Sequence, residues 1–244
     1  MKKNLIIIII LITCVNILAQ TSSLEISLGT EFLQLSDFKD FLNSSLLDIK
    51  EAGIEAKILE EFPNFPVFSI YWIQGIKDRE YQLITGLGHY STGSRIYYED
   101  YSGFYRNDIL INSLSFEMGI RLPILVMRNF LINFDLTAVY QSYKTEFIYE
   151  LSTNNYLNHY KKKYYHNSGG LKINFNNQIN LKEKIYLFLS VGYDFIYPPT
   201  IELQDIGETY FIDPSNNKVD LNMSSLDLMI GIGINFQTQK PESK

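Results

Sequence analysis

The chain has 244 residues, of which 14% are aromatic and only 20% charged, with a net charge of −6 at pH 7 and one cysteine. One domain is the natural expectation at this length. The acidic balance disfavours nucleic acid as a partner, and a lone cysteine excludes an internal disulfide framework.

Met1-Lys2-Lys3-Asn4 is followed by an almost purely apolar run over 5–18 and then by Ala19-Gln20-Thr21-Ser22-Ser23. Charged, apolar and small-residue regions in that order form a secretory signal peptide, so residues 1–19 are expected to be removed. The run is shorter than the about 20 residues that a membrane helix needs. Cys14 leaves with it, so the mature chain is expected to carry no thiolate metal site and no cofactor motif. Residues 20–237 are expected to form the folded body and 238–244 a polar tail.

No later window is apolar enough for a membrane helix, but apolar and polar residues alternate with period two, the mark of strands whose faces meet different surroundings. In 112–121, Leu114, Phe116, Met118 and Ile120 share one face, while Ser113, Ser115, Glu117, Gly119 and Arg121 share the other. The same pattern marks 130–141, 171–181, 185–195 and 226–236 and, less regularly, 24–33, 67–76 and 81–91, about eight strands in all. The connections 77–80, 122–129 and 181–184 are short, whereas 34–66, 92–109, 142–168 and 197–224 are long and rich in Tyr, Asn, Asp and Ser. Short turns at one end and long loops at the other belong to outer-membrane barrels. Tyr90, Tyr140, Tyr143, Tyr193, Phe195 and Tyr197 fall near the loop ends, and Trp72 and Phe236 near the turn ends, as two aromatic girdles would. The expected fold is therefore an all-β, antiparallel, up-and-down transmembrane β-barrel of about eight strands.

A soluble barrel of lipocalin type would point its apolar face inward. Its outer face would then be dense in Lys and Glu, yet the polar face here is mostly Gly, Ser, Asn, Thr and Gln. That composition suits a crowded lumen. The lumen should hold Glu25, Glu31, Glu117, Arg121, Asp135, Lys172, Asp194 and Asp227, either as an ion-paired plug, since confined charges must be paired, or as the lining of a narrow conduit for ions or small solutes.

Three local features could carry function. His89 and Ser91 share a strand face, so an imidazole and a hydroxyl stand side by side near the loop end, the start of an activated nucleophile. Asn158 to His166 includes Lys161, Lys162, Lys163, Tyr164 and Tyr165, a basic and aromatic cluster whose ammonium groups and rings suit the phosphates and sugars of lipopolysaccharide. Asp37-Phe38-Lys39-Asp40-Phe41-Leu42 is expected to begin a short helix with Ser36 as its N-cap, and Phe62-Pro63-Asn64-Phe65-Pro66 reads as a rigid return into the second strand.

With strand count, leader and girdles in view, the chain resembles the small outer-membrane barrels of the OmpA-transmembrane and OmpX kind. It looks closer still to a group of outer-membrane barrels without an assigned role, through Asp37-Phe38-Lys39-Asp40 with Asn43-Ser44-Ser45, Glu55-Ala56-Lys57 with Phe62-Pro63, and Ser91-Thr92-Gly93-Ser94-Arg95 with Asp100-Tyr101-Ser102-Gly103 and Tyr105-Arg106. His89-x-Ser91 is also similar to the motif of outer-membrane lipid A deacylases, in which Asn follows and Thr92 stands here. These resemblances imply an integral, monomeric protein of a Gram-negative-type outer membrane with both termini periplasmic. Its partners would be membrane lipid, lipopolysaccharide, periplasmic chaperones and the barrel-assembly machinery. The leading expectation is a non-enzymatic structural or surface-interaction role. A lipid-modifying enzyme using His89 and Ser91 is the alternative from another class.

Overall fold

The computed structural model describes residues 19–33, 35–153, 156–182, 184–197 and 224–237. The expected signal peptide, apart from Ala19, lies outside the described residues, as do the expected tail 238–244 and most of the long connection 197–224.

Among the described residues, nine strands and one helix follow in order: β1 (Ala19–Leu33), α1 (Ser36–Glu51), β2 (Lys57–Glu61), β3 (Phe65–Ile76), β4 (Gln82–Asp100), β5 (Gly103–Val126), β6 (Phe130–Thr153), β7 (Tyr156–Lys182), β8 (Ile185–Ile196) and β9 (Ser225–Gln237). Each long strand pairs antiparallel with the next, and β9 returns to β1 from Thr21↔Gln237 to Leu33↔Ser225. The eight strands other than β2 therefore close into a ring, and closure leaves the ring no free edge. The first and last strands begin and end at the short-turn end.

The period-two pattern sets which way each side chain faces. Ile26, Leu28, Phe68, Leu87, Leu114, Met118, Leu136, Leu171, Phe175, Leu189, Ile230 and Ile232 are exposed on the outside, whereas Glu25, Ser69, Glu117, Asp135, Lys172, Asn176 and Asp227 are buried inside. An apolar exterior around a polar interior is the inverse of a water-soluble barrel and matches hydrocarbon.

Two expected loops prove to be strand. Residues 92–109 and 142–168 continue the ladders of β4–β5 and β6–β7 to the hairpin tips, from Ser91↔Asn112 to Asp100↔Gly103 and from Ser142↔Asn167 to Thr153↔Tyr156. β5 and β6 are 24 residues long and β7 is 27, whereas about 10 suffice to cross a bilayer. The excess, at about 3.3 Å per residue and with the usual tilt, carries the hairpins roughly 30 Å beyond the membrane. Along this extension the two faces exchange character with no change of register. Ile96, Ile109, Ile111, Tyr143 and Tyr164 are buried on the inner side, and Arg95, Arg106, Lys144, Lys161 and Lys163 lie on the outer side. Water has replaced lipid outside, so the apolar set moves inward. The expected turn 122–129 shrinks in the same way, because β5 runs to Val126 and absorbs Pro123 at a register shift, where proline's missing N–H is tolerated.

α1 seats on this upper apolar core, with Leu35 and Leu42 buried in one cluster with Tyr90, Ile96, Tyr105, Ile109, Ile111 and Tyr143. The helix is longer than expected, and Leu35 rather than Ser36 occupies the cap position, with no capping side chain. Burial of Leu35 anchors the start instead. The helix ends at a left-handed Gly53, whose N–H donates to Lys50 O (2.9 Å) while Ile54 N–H donates to Ile49 O (3.2 Å), a paired C-terminal closure. β2, absent from the sequence expectation, then pairs with β4 from Lys57↔Tyr97 to Glu61↔Ser94 above the point where β3 leaves off.

Candidate functional site

All eight charged residues expected in the lumen lie there, each no more than 4% exposed. They gather around two cations. Arg121, on the inner face of β5, donates from Nη1 and Nη2 to Glu25 Oε1 and Oε2 (2.6 and 3.0 Å) and from Nε and Nη2 to Asp135 Oδ1 and Oδ2 (2.8 Å each). Its planar fork suits two carboxylates at once. Glu25 also accepts from Gln178 Nε2 (3.0 Å) and the Tyr186 hydroxyl (2.8 Å). Toward the long-loop end, Lys172 pairs with Asp227, with Asp194 at 3.5 Å and with Glu117 at 3.8 Å, and the Tyr71 hydroxyl donates to Glu117 Oε2 (3.1 Å).

Two glycines make room for those tyrosines. A Cβ on Gly86 would stand 2.3 Å from the Tyr71 ring and one on Gly233 2.0 Å from the Tyr186 ring. Each ring therefore lies flat over backbone and delivers its hydroxyl to a carboxylate. Tyr71, Gln178 and Tyr186 were not singled out in the sequence, although the same alternation that marks the charged residues places them on the lumen face. The gap among these groups is about 10 Å³, room for no more than one water. Below Arg121 the barrel opens at its short-turn end into a cavity of about 300 Å³ lined by Ser23, Gln82, Asn180 and Asn235 among others.

The outer face of the projecting hairpins carries a second set of charges, above the level of Ser91, Asn112, Ser142 and Asn167. Asp108 lies between two guanidiniums, accepting from Arg95 Nε and Nη2 (2.7 and 3.0 Å) and from Arg106 Nε (2.8 Å). Burial pushes its carboxyl up, but Arg95 and Arg106 together outweigh this and hold it below its ordinary value. Glu146 takes a contact from Lys144, one from Lys161 at 2.7 Å and one from Lys163 at 4.0 Å. Hydrogen bonds from Lys144 and then Lys161 bring its carboxyl down to about 2. Three lysines thus share one carboxylate.

The expected basic and aromatic cluster is divided by the strand. Lys161, Lys163 and Tyr165 face outward, whereas Tyr164 is buried inside, in edge contact with Phe147 (5.3 Å between ring centres) and beneath Lys162. Arg95 and Arg106 stand in the sequence only within the strings that carry the resemblance, and Asp108 and Glu146 carry no signal of their own there, because these segments read as loops.

His89 and Ser91 do share the outward face of β4, and among the described residues no hydrogen bond joins them. His89 Nδ1 contacts Ser113 O at 2.8 Å. The outward neighbours across the ladder are Phe68, Asn112 and Leu114, none of them a carboxylate. Two of the expected girdle residues are also relocated: Tyr90 and Tyr143 are 3% and 1% exposed inside the cup, with His166 stacked on Tyr143 at 4.9 Å. Tyr140, Phe195 and Tyr197 remain outward, and Trp72 stacks on Phe236 (5.7 Å) at the short-turn end.

A closed ring, an ion-paired lumen and an apolar belt define an eight-stranded barrel of the outer-membrane kind. No family model matches the chain, and no curated protein matches it in sequence. Among solved structures it is similar to Ail, the attachment invasion locus protein of Yersinia pestis, at 13% identity over 88% of this chain and 99% of Ail, with a TM-score of 0.38. Neisserial surface protein A matches at 9% identity over 89% and 98%, with a TM-score of 0.39. The outer membrane protease OmpT of Escherichia coli matches at 11% identity over 89% and 97%, with a TM-score of 0.41. At these scores the class rests on the strand ring and the inverted surface.

Proposed function

We infer that the protein is a non-conducting, non-enzymatic barrel of a Gram-negative-type outer membrane. It is exported by the leader that ends near Ala19, and its termini are periplasmic. Its working surface is the pair of hairpins β4–β5 and β6–β7 with α1 packed on their shared apolar core. The β6–β7 outer face lies against lipopolysaccharide, with Lys144, Lys161 and Lys163 toward its phosphates. The observation that carries this reading is the convergence of three lysines on the single carboxylate of Glu146, just above the apolar belt, where lipid phosphates and sugars begin. Positive charge is left over there in a chain that is acidic overall, and ammonium groups at that height suit phosphate.

The test is reconstitution of the full-length mature protein into vesicles of phosphatidylcholine with and without lipopolysaccharide. The thermal midpoint of the heat-modifiable band should rise with lipopolysaccharide, and the rise should shrink with added salt. A variant with Lys144, Lys161 and Lys163 all changed to Ser should still give the fast-migrating unboiled band and lose the rise. An unaltered rise in that variant refutes the lysine contact, and stepwise current across a planar bilayer refutes the non-conducting reading.

A further inference from the structure

The lumen holds far more acid than base. Arg121 answers Glu25 and Asp135, which leaves Lys172 as the single cation, among the described residues, for Glu117, Asp194, Asp227 and Glu31. Glu31 and Asp227 stand directly opposite each other on β1 and β9, an arrangement that like charges disfavour. One oxygen from each of Glu31, Asp194 and Asp227 lies within 4.8 Å of the others, and the three side chains are 4%, 1% and 1% exposed. Lys172 holds Asp227 and reaches Asp194 but not Glu31. Glu31 Oε2 is buried with no hydrogen-bond partner among the described residues, on a side chain grouped with the two aspartates.

We propose that Glu31, Asp194 and Asp227 bind a divalent, oxygen-preferring cation of the calcium class inside the barrel, with Lys172 positioning the two aspartates. Uncompensated carboxylates in a narrow interior must acquire positive charge from somewhere. A set made only of carboxylates, without imidazole or thiolate, selects a hard cation over zinc or copper. Three carboxylate oxygens gathered within 4.8 Å of one another can share one such cation, and calcium, with its flexible shell of roughly six to eight oxygens, accepts an irregular carboxylate set more readily than magnesium, which demands near-ideal octahedral geometry. Water completes the coordination. The upper apolar core with Leu42 of α1 lies above the site and the Arg121 cluster below it, so an ion bound between them should leave slowly once the barrel is folded.

Metal analysis of the full-length mature protein, extracted from membranes and freed of loose ions, should find about one calcium per chain. EDTA should remove it quickly only after unfolding. Refolding in terbium chloride should give tyrosine-sensitised terbium luminescence, displaced by calcium. Glu31→Gln removes a carboxylate that holds nothing else in place, so this variant should still give the fast-migrating unboiled band while its calcium affinity falls roughly tenfold or more. Wild-type protein that carries no calcium and sensitises no terbium overturns the proposal and makes protons the neutralising species. Undiminished binding in folded Glu31→Gln overturns it too, by placing the ion elsewhere.

Discussion

Replacing Arg121 by Met keeps much of the side-chain volume and removes the charge that two buried carboxylates share. Breaking a buried ion pair by deleting one partner costs about 3–5 kcal/mol, because the remaining charge is stranded. The structure says where that cost falls. Glu25 keeps its bonds from Gln178 and Tyr186 at 3.0 and 2.8 Å, whereas the side-chain bonds resolved for Asp135 come from Arg121 alone. Adding Asp135→Asn to Arg121→Met should therefore recover roughly 2 kcal/mol, and adding Glu25→Gln distinctly less, the non-additivity expected within one network. The assay is urea unfolding of vesicle-reconstituted protein, followed by the fraction of unboiled fast-migrating band. An Arg121→Met variant within about 1 kcal/mol of wild type, or a double variant with Asp135→Asn less stable than the single, refutes the account of the lumen as a charge-balanced plug.

Three further outcomes follow from the structure. Trp72 is the only tryptophan and stacks on Phe236 at the short-turn end, so lipids carrying a quencher near the headgroup should quench its fluorescence more than lipids carrying it at the chain terminus; the reverse order would move the lower girdle into the hydrocarbon. Glu146 has its carboxyl lowered from 4.5 to about 2, so its stabilisation of the β6–β7 hairpin is complete above pH 4.5 and fades as pH falls toward 2, and amide exchange in the hairpin should accelerate across that window in wild type but not in Glu146→Gln. Gly86→Ala forces a methyl group against the Tyr71 ring at 2.3 Å, whereas Gly169→Ala meets nothing nearer than Val139 O at 3.7 Å, so the first should cost about 1–3 kcal/mol and the second little, measured by the same urea titration.

The membrane part of the barrel was legible because one environment on each side of a strand writes one alternation. Leu114-Phe116-Met118 against Ser113-Ser115-Glu117 is unambiguous, and it yielded the ring, the turn end and all eight lumen charges. What was lost lies where the environments change. On β6 the outward set runs Phe134, Leu136, Ala138, Tyr140 and then Ser142, Lys144, Glu146; the inward set runs Asn133, Asp135, Thr137 and then Tyr143, Phe147, Tyr149. The alternation continues, but its phase reverses, and a search for one apolar face reads the reversal as the end of the strand. The tyrosines suffered the same fate. Tyr90 and Tyr143 sit at the height of a girdle but on the inner parity, and placement by height alone sent them outward. Partners far apart in sequence, such as Tyr186 and Glu25, were invisible because strand order fixes them, not local pattern.

The phase reversal also determines how deep the protein sits. Outward residues at the boundary are Leu87, Leu114, Tyr140 and Leu171 on one side and Arg95, Asp108, Lys144 and Lys163 on the other, separated by Ser91, Asn112, Ser142 and Asn167. Lifting the barrel by one side-chain repeat, about 6 Å along a strand, would bring the upper leucines into water, at about 25 cal/mol for each Å² exposed. Sinking it by the same step would draw Lys144 and its partner Glu146 toward hydrocarbon, at a cost that grows with depth. Both displacements are opposed at four strands together, so the barrel has one preferred height. At that height the extended hairpins are in water, where their inverted faces form a conventional apolar core and where α1 finds the surface it covers. The same strands are thus a membrane barrel below the boundary and a water-soluble cup above it, and the position of the reversal joins the two at a fixed level.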